Sequence, residues 1–182
     1  MALIVRPARP EDAEGIVRVH GDAWRAAYRG IVPDAHLEKV GREPDAVERR
    51  RRWMANPATR TIVAEEAGEV VGVALGGPRR EGDPAFEAEL AMLYVLPGNQ
   101  RRGAGRGLFR AVAGGLVARG HRSMLLWVLR DNVPGRAFYE RLGGRLLGEK
   151  PIELGGTTLV EVAYGWPDLG ALLGLSPTPE SA

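Results

Sequence analysis

Apolar and polar positions along the chain follow two rhythms. Runs or alternations of apolar residues of strand length occur at 2–6, 60–66, 69–75, 87–96, 121–129, 145–152 and 157–165. These spacings predict strands. Helical spacing begins after Pro10-Glu11-Asp12, where a proline and two acids mark a helix start. Ile16, Val17, Val19, Trp24, Ala27 and Tyr28 then share one face, with a break expected near Gly21 and an end at Gly30. Pro33 opens a short second helix with Leu37 and Val40, and 43–54 reads as a third, charged helix. Two more helices are predicted at 105–119 and 133–142, the latter capped by Asn132 and stopped by Gly143-Gly144. Ala67-Gly68 is a tight turn that makes 60–66 and 69–75 a hairpin, and 76–84 is a polar loop. A hairpin-built region leading into βαβ units predicts an α/β fold with a mixed, twisted sheet of about six or seven strands flanked by helices. One domain is expected over 1–166, followed at 167–182 by a short apolar segment and a proline-containing tail expected to fray.

One stretch carries candidate chemistry. Leu90 to Leu96 is an apolar strand, and Pro97-Gly98-Asn99 stops it. Gln100-Arg101-Arg102-Gly103-Ala104-Gly105-Arg106-Gly107 follows, and Leu108, Phe109, Val112, Leu116 and Val117 then recur at helical spacing. Strand, glycine-rich turn and helix together make an anion site. Glycines let the main chain approach a ligand, and N–H groups at the helix start point at it, aided by the helix dipole. The Walker loop needs Gly-Lys-Ser/Thr at its end, which is absent. The dinucleotide fingerprint needs a glycine where Leu108 stands.

Composition narrows the remaining classes. Hydrophobic residues at 45% and charged residues at 26% are ordinary for a globular chain, and a net charge of +2 gives no case for nucleic acid. There is no cysteine, so there is no disulfide frame, thiolate nucleophile or zinc cluster. His20, His36 and His121 share no metal-ligand spacing, so no metal is expected. No apolar run reaches membrane length, and Met1-Ala2-Leu3 opens a strand rather than a signal peptide, so a cytoplasmic protein without a membrane partner is expected. Arg49 to Arg52, with Arg42 nearby, point all round a helix and read as a solvated surface.

Two motifs in order carry a resemblance. Gln-x-x-Gly-x-Gly follows a strand reading Leu93-Tyr94-Val95-Leu96-Pro97, and later comes Asn132 with Ala137-Phe138-Tyr139-Glu140-Arg141-Leu142-Gly143. Together they resemble the GNAT superfamily of acyl-CoA-dependent N-acyltransferases over 4–166. Gly144 departs from the family, which usually has a core aromatic there. The resemblance implies an acetyltransferase with acetyl-CoA as co-substrate and splayed central parallel strands. The pyrophosphate would meet Gln100, Arg101, Arg102, Gly103, Ala104, Gly105 and Arg106, with Asn132 also touching the cofactor. The pantetheine arm would add like a strand along Leu93, Tyr94 and Val95. Asn132 also fits a plain helix cap, and the three strand residues fit plain core.

Tyr139 matches the family's general acid, because a phenol of pKa about 10 stays protonated and can serve a thiolate of about 8.5. By position alone it also fits a packing tyrosine. Some members carry a glutamate five residues before Asn132, but Trp127 stands here. That leaves Glu87 and Glu89, which share a strand face unless a bulge intervenes. Glu89 ranks first as base, acting through water, and a solvated strand-end carboxylate explains it equally well. Trp24 and Tyr28 wall an acceptor pocket or belong to the core. Glu81, Asp83, Glu87 and Glu89 favour a small cationic primary amine as acceptor. A protein N-terminal or lysine acceptor, and a non-catalytic acyl-CoA-binding module, remain alternatives. A homodimer is compatible with this reading.

Overall fold

The computed structural model describes residues 2–175. Seven strands form one sheet in the order β1-β2-β3-β4-β5-β7-β6. They are β1 (Leu3–Pro7), β2 (Arg60–Glu66), β3 (Glu69–Pro78), β4 (Ala88–Val95), β5 (Met124–Leu129), β6 (Arg145–Leu154) and β7 (Thr157–Trp166). The helices are α1 (Ala13–Tyr28), α2 (Asp34–Leu37), α3 (Ala46–Ala55), α4 (Ala104–Val117), α5 (Val133–Arg141) and α6 (Leu169–Leu173). Among the described residues no helix is long and apolar enough to cross a membrane. The expected tail lies largely beyond the described residues, which end just after α6.

Strand alternation separates two apolar layers. Leu90, Leu126, Val128, Val162 and Tyr164 pack under Leu108, Phe109, Val112 and Leu116 of α4. Val63, Val73, Leu75 and Met92 face the other way, against Ile16 and Val19 of α1. A third cluster joins Tyr28, Val32 and Leu37 to Leu129 at the C-terminal end of β5. Burial of such side chains contributes about 1.5–3 kcal/mol each and fixes both layers.

β4 and β5 are the parallel pair, and they pair only at Ala88↔Met124 and Glu89↔Leu125. Beyond that the strands part, so the β5-facing edge of β4 is unpaired from Leu90 to Val95. The opposite edge stays bound to β3, with Leu75↔Met92 and Gly76↔Leu90 in register and Ala91 left as a bulge. The bulge resets the alternation. Ala88 and Leu90 pack toward α4, and so do Leu93 and Val95. Glu89 and Tyr94 therefore share the opposite face, five residues apart.

Some expectations change. α1 runs unbroken through Gly21, where a Cβ would sit 2.8 Å from the Val40 carbonyl oxygen. Gly21 serves a close approach of the chain, not a helix break. α3 starts at Ala46 rather than at 43, because Glu43 precedes Pro44 and is biased away from helical backbone. β5 starts at Met124 rather than at 121, because the end of α4 uses the intervening residues. Gly120 has φ +90° and His121 N–H donates to Leu116 C=O at 3.1 Å, a Schellman-type close.

Candidate active site

The loop between β4 and α4 is anchored at both ends. Gln100 Nε2 donates to Val95 C=O at 3.1 Å. Asn99 Nδ2 donates to Glu66 Oε2 at 2.7 Å, and Arg102 bonds both Glu66 oxygens at 2.6 and 3.0 Å. Arg102 is therefore tied to the end of β2, whereas Arg101 and Arg106 make no ion pair among the described residues. Between the anchors the chain turns sharply, with Arg101 at φ +59° and Gly103 at φ +92°. Gly103 starts α4 without any side-chain cap. The first helical bond runs from Gly107 N–H to Gly103 C=O at 2.9 Å. Among the described residues, the N–H groups of Ala104, Gly105 and Arg106 have no acceptor. A Cβ on Gly105 would lie 3.2 Å from Phe138. Uncapped donors at a helix N-terminus fit a pyrophosphate, and Gly105 lets α5 pack closely beside them.

The other bank of the cleft is α5. Asn132 caps it, its Oδ1 accepting from Gly135 N–H at 3.1 Å. The Tyr139 ring packs against Phe138 at 5.3 Å and Trp166 at 6.3 Å between centroids. The ring is buried, at 9% exposure. Its hydroxyl makes no hydrogen bond among the described residues and is not among the polar atoms sealed from solvent. Burial first, and then the nearby Tyr28, push its pKa well above the ordinary phenol value. Gly144, the family departure, is filled from elsewhere. A Cβ there would lie 2.7 Å from the Trp166 ring, whose Nε1 donates to Leu142 C=O at 2.8 Å. The aromatic missing at 144 is thus supplied by β7.

On the α1 side, Trp24 stacks edge-on with Tyr28 at 4.8 Å, and His20 lies 5.1 Å from Tyr94. Tyr28 is core, while Trp24 and Tyr94 are half-buried. Tyr28, Tyr94, Asn132 and Trp24 approach one another. Trp24 Nε1 nevertheless has no hydrogen-bond partner, so the approach to Tyr94 is looser than a formed bond. Burial raises the pKa of both Tyr28 and Tyr94, so all three cleft tyrosines stay protonated at neutral pH.

His20 is unsuited to proton transfer near neutrality. Burial, then the charges of Arg50 and Arg49, lower its pKa to about 3. Arg50 Nη2 lies 2.8 Å from His20 Nδ1. A guanidinium has only donors, so Nδ1 accepts and Nε2 carries the proton. Arg50 itself departs from the expected solvated run. It is 3% exposed and lies 4.2 Å over the Trp53 ring, and burial lowers its pKa to about 10.

The two candidate bases part company. Glu87 is half-exposed and accepts from Arg122 N–H at 2.6 Å, a loop tie remote from the tyrosines. Glu89 is 3% exposed, and both its oxygens are engaged by Arg80. Arg80 N–H and Nε donate to Oε2 at 3.2 Å each, and Nη2 donates to Oε1 at 2.6 Å. A carboxylate held this way is a poor match for a free base.

Glu161 of β7, Lys150 of β6 and Arg80 join this face without belonging to any sequence motif. Glu161 is a lone acid in the apolar run Leu159-Val160-Glu161-Val162-Ala163, and that isolation was the available signal. Val162 and Tyr164 pack toward α4, so Glu161 stands on the same sheet face as Glu89 and Tyr94. Lys150 pairs with it across the β6–β7 ladder. No group of metal-ligating side chains occurs among the described residues.

Comparisons with known proteins agree with this geometry. The model of the acetyltransferase (GNAT) family matches residues 22–144. An uncharacterized N-acetyltransferase, YuaI, of Bacillus subtilis is 37% identical over 169 residues, covering 92% of this chain and 95% of that protein. A solved acetyltransferase of Salmonella typhimurium with its cofactor acetyl-CoA superposes with TM-score 0.72 at 20% identity, covering 100% of both chains. The PaiA N-acetyltransferase of Thermoplasma acidophilum in complex with coenzyme A gives TM-score 0.69 at 22% identity, covering 89% of this chain and 98% of that one. With the family model spanning both cleft motifs and a full-length relative of the same kind, this protein belongs to the GNAT family and is an N-acetyltransferase whose co-substrate is acetyl-CoA.

Proposed function

We propose that this enzyme acetylates a small cationic primary amine by direct attack in a ternary complex formed in the cleft between β4 and β5. The observation that carries the reading is the parting of these strands after Glu89↔Leu125. It leaves a free strand edge that leads to the uncapped start of α4 on one side and to Tyr139 on the other.

In this reading the N–H groups of Arg101 to Arg106 cradle the pyrophosphate, with Gln100 holding the loop to β4. Arg101 and Arg106 supply the positive charge, because Arg102 is spent on Glu66. The edge at Leu93, Tyr94 and Val95 takes the pantetheine arm as an added strand. When bound, acetyl-CoA supplies a thioester whose carbonyl carbon an amine can attack and whose sulfur departs as thiolate. A free main-chain N–H of β4 would polarise the carbonyl, an oxyanion-type contact. Tyr139, protonated at neutral pH, would donate to the sulfur. Burial makes the phenol reluctant to ionise, and the same dry surroundings make a thiolate more basic, so donor and acceptor stay matched.

The acceptor would enter between α1 and the β6–β7 hairpin, past Trp24, Tyr28 and Tyr94. Glu89 contributes negative charge beneath it while Arg80 fixes its place. Acids Glu81, Glu89 and Glu161 against Lys150 and Arg80 leave a net negative floor, which favours a cationic amine.

The test is thiol release from acetyl-CoA over a panel of alkylamines, diamines, amino-sugars and peptides with free N-termini or lysines. Release that is stoichiometric with acetylation of the small amines is expected. Release with the peptides alone would replace this reading by a protein acceptor.

A further inference from the structure

Two carboxylates share the acceptor face of the sheet, and only one is held. Glu89 accepts three hydrogen bonds from Arg80. Glu161 lies across the ladder from Leu129 of β5 and Lys150 of β6. Its side chain is 16% exposed. Among the described residues it accepts no hydrogen bond. Its nearest cation, Lys150 Nζ, stays 3.8 Å away. That ammonium is engaged elsewhere, since it bonds Glu81 and sits 4.3 Å over the Trp127 ring.

A carboxylate drawn out of water without donors is costly, and native proteins seldom leave one so. The Glu161 oxygens are not sealed off, as they are absent from the enclosed unpartnered atoms. Tyr28 of α1 is near enough to feel this carboxylate. Lys150 shows what suits the place: a primary alkylammonium, between carboxylates and over an indole.

We infer that Glu161 receives the acceptor's ammonium group in the cleft and takes its proton, the acceptor displacing Lys150 from the vicinity of this carboxylate. The inference rests on the amine-acetylation reading and gives that reading its missing base. The protons balance. Of three on the acceptor nitrogen, the first passes to Glu161 and then to solvent, freeing the lone pair. The C–N bond forms and the C–S bond breaks. A second nitrogen proton replaces the one that Tyr139 gives to the departing thiolate, and the third remains on the amide.

The groups facing Glu161 set its behaviour. Burial raises its proton affinity most. Lys150 of β6 and Arg80 of the β3–β4 loop oppose this, while Glu81 of that loop and Glu89 of β4 reinforce it. Tyr28 of α1 stays neutral opposite it. A carboxyl raised toward neutrality is a better general base than an ordinary one.

The experiment is the pH profile of kcat and KM for n-butylamine and 1,4-diaminobutane, with wild-type enzyme, Glu161→Gln and Lys150→Met. Acetyl-CoA affinity, read by thermal shift, checks that each variant is folded and loaded. Glu161→Gln is expected to lower kcat/KM about 100-fold at neutral pH, to raise KM and to lose the acid limb, with acetyl-CoA affinity unchanged. Lys150→Met removes the opposing cation, so the acid limb should move to higher pH and KM for the amine should fall. If the wild type acetylates an amine and Glu161→Gln keeps its kcat/KM and its acid limb, this inference alone is overturned. If the wild type releases no thiol with any amine of the panel, the parent reading fails and takes the inference with it.

Discussion

The two sides of the cleft are built from different materials. The proposed cofactor side is largely main chain: the free edge of β4, the turn through Arg101 and Gly103, and the uncapped N-terminus of α4. These three parts come from one continuous stretch of sequence. The proposed acceptor side is side chain: Trp24 and Tyr28 from α1, Arg80 and Glu81 from a loop, Glu89 and Tyr94 from β4, Trp127 from β5, Lys150 from β6 and Glu161 from β7. It is assembled from six separate parts of the chain. The two sides therefore tolerate change differently. A site made of main-chain N–H groups depends on backbone conformation and is broken by bulk. A site made of side chains is retuned one residue at a time.

The largest expected effect breaks the cofactor side. In Gly105→Glu the new Cβ stands 3.2 Å from Phe138, and a negative charge is added beside the proposed pyrophosphate site. Acetyl-CoA affinity should fall by about 100-fold or more, through both crowding and like charge. Titration calorimetry reads this directly. A variant that binds as the wild type does would move the pyrophosphate site away from this loop.

The next effect belongs to the acceptor side and is one of stability. Arg80→Met strands Glu89, whose side chain is 4% exposed, without its donors. Breaking a fully buried pair costs about 3–5 kcal/mol, but the Arg80 head meets solvent, so about 1–3 kcal/mol is expected in urea unfolding. Glu89→Gln should change kcat less than about fivefold if Glu89 acts by position and charge rather than as the base.

A smaller effect sharpens the division of labour among the loop arginines. Arg102→Ala loosens the tie to Glu66 and should weaken acetyl-CoA about two- to fivefold, by raising the cost of ordering the loop. Arg106→Ala removes a charge that makes no ion pair among the described residues, and its loss should grow as ionic strength falls.

A further effect is a pH slope in stability. His20 has a folded pKa of about 3, below the ordinary value of about 6.5. Between those values the unfolded chain binds the extra proton, so stability should fall as the pH drops below the ordinary value. The slope is at most ~1.4 kcal/mol per pH unit. In His20→Gln that part of the slope should disappear from urea unfolding curves.

Much of this was legible in the sequence, and the reasons are physical. The strands and helices appear within a few residues of their predicted bounds, because apolar alternation and glycine or proline stops determine them. The turn between β4 and α4 was readable because positive φ and close approach restrict residue choice at fixed spacing, as at Gly103 and Gly105. What the sequence hid depends on contacts between distant segments. Gly21 looked like a helix break and proved to be the seat of the Val40 carbonyl. Gly144 looked like a hole, and Trp166 fills it. Arg50 looked like one of four solvated arginines, yet it is buried over Trp53. The bulge at Ala91, which brings Glu89 and Tyr94 to one face, exists only in the register with β3. Arg80, nine residues from Glu89, closes on it only when β3 and β4 pair.

Transfer is proposed to take place where these two sides meet, with Tyr139 serving the departing sulfur. Tyr139→Phe tests it most directly, because the ring that packs against Phe138 and Trp166 is retained and only the hydroxyl is lost. The measurement is kcat for thiol release with the best amine of the panel, beside the Kd for acetyl-CoA. A kcat lower by about 10²- to 10⁴-fold is expected, with Kd and melting temperature essentially unchanged. A kcat within about threefold of wild type would contradict it, since a positioned acid contributes far more than that.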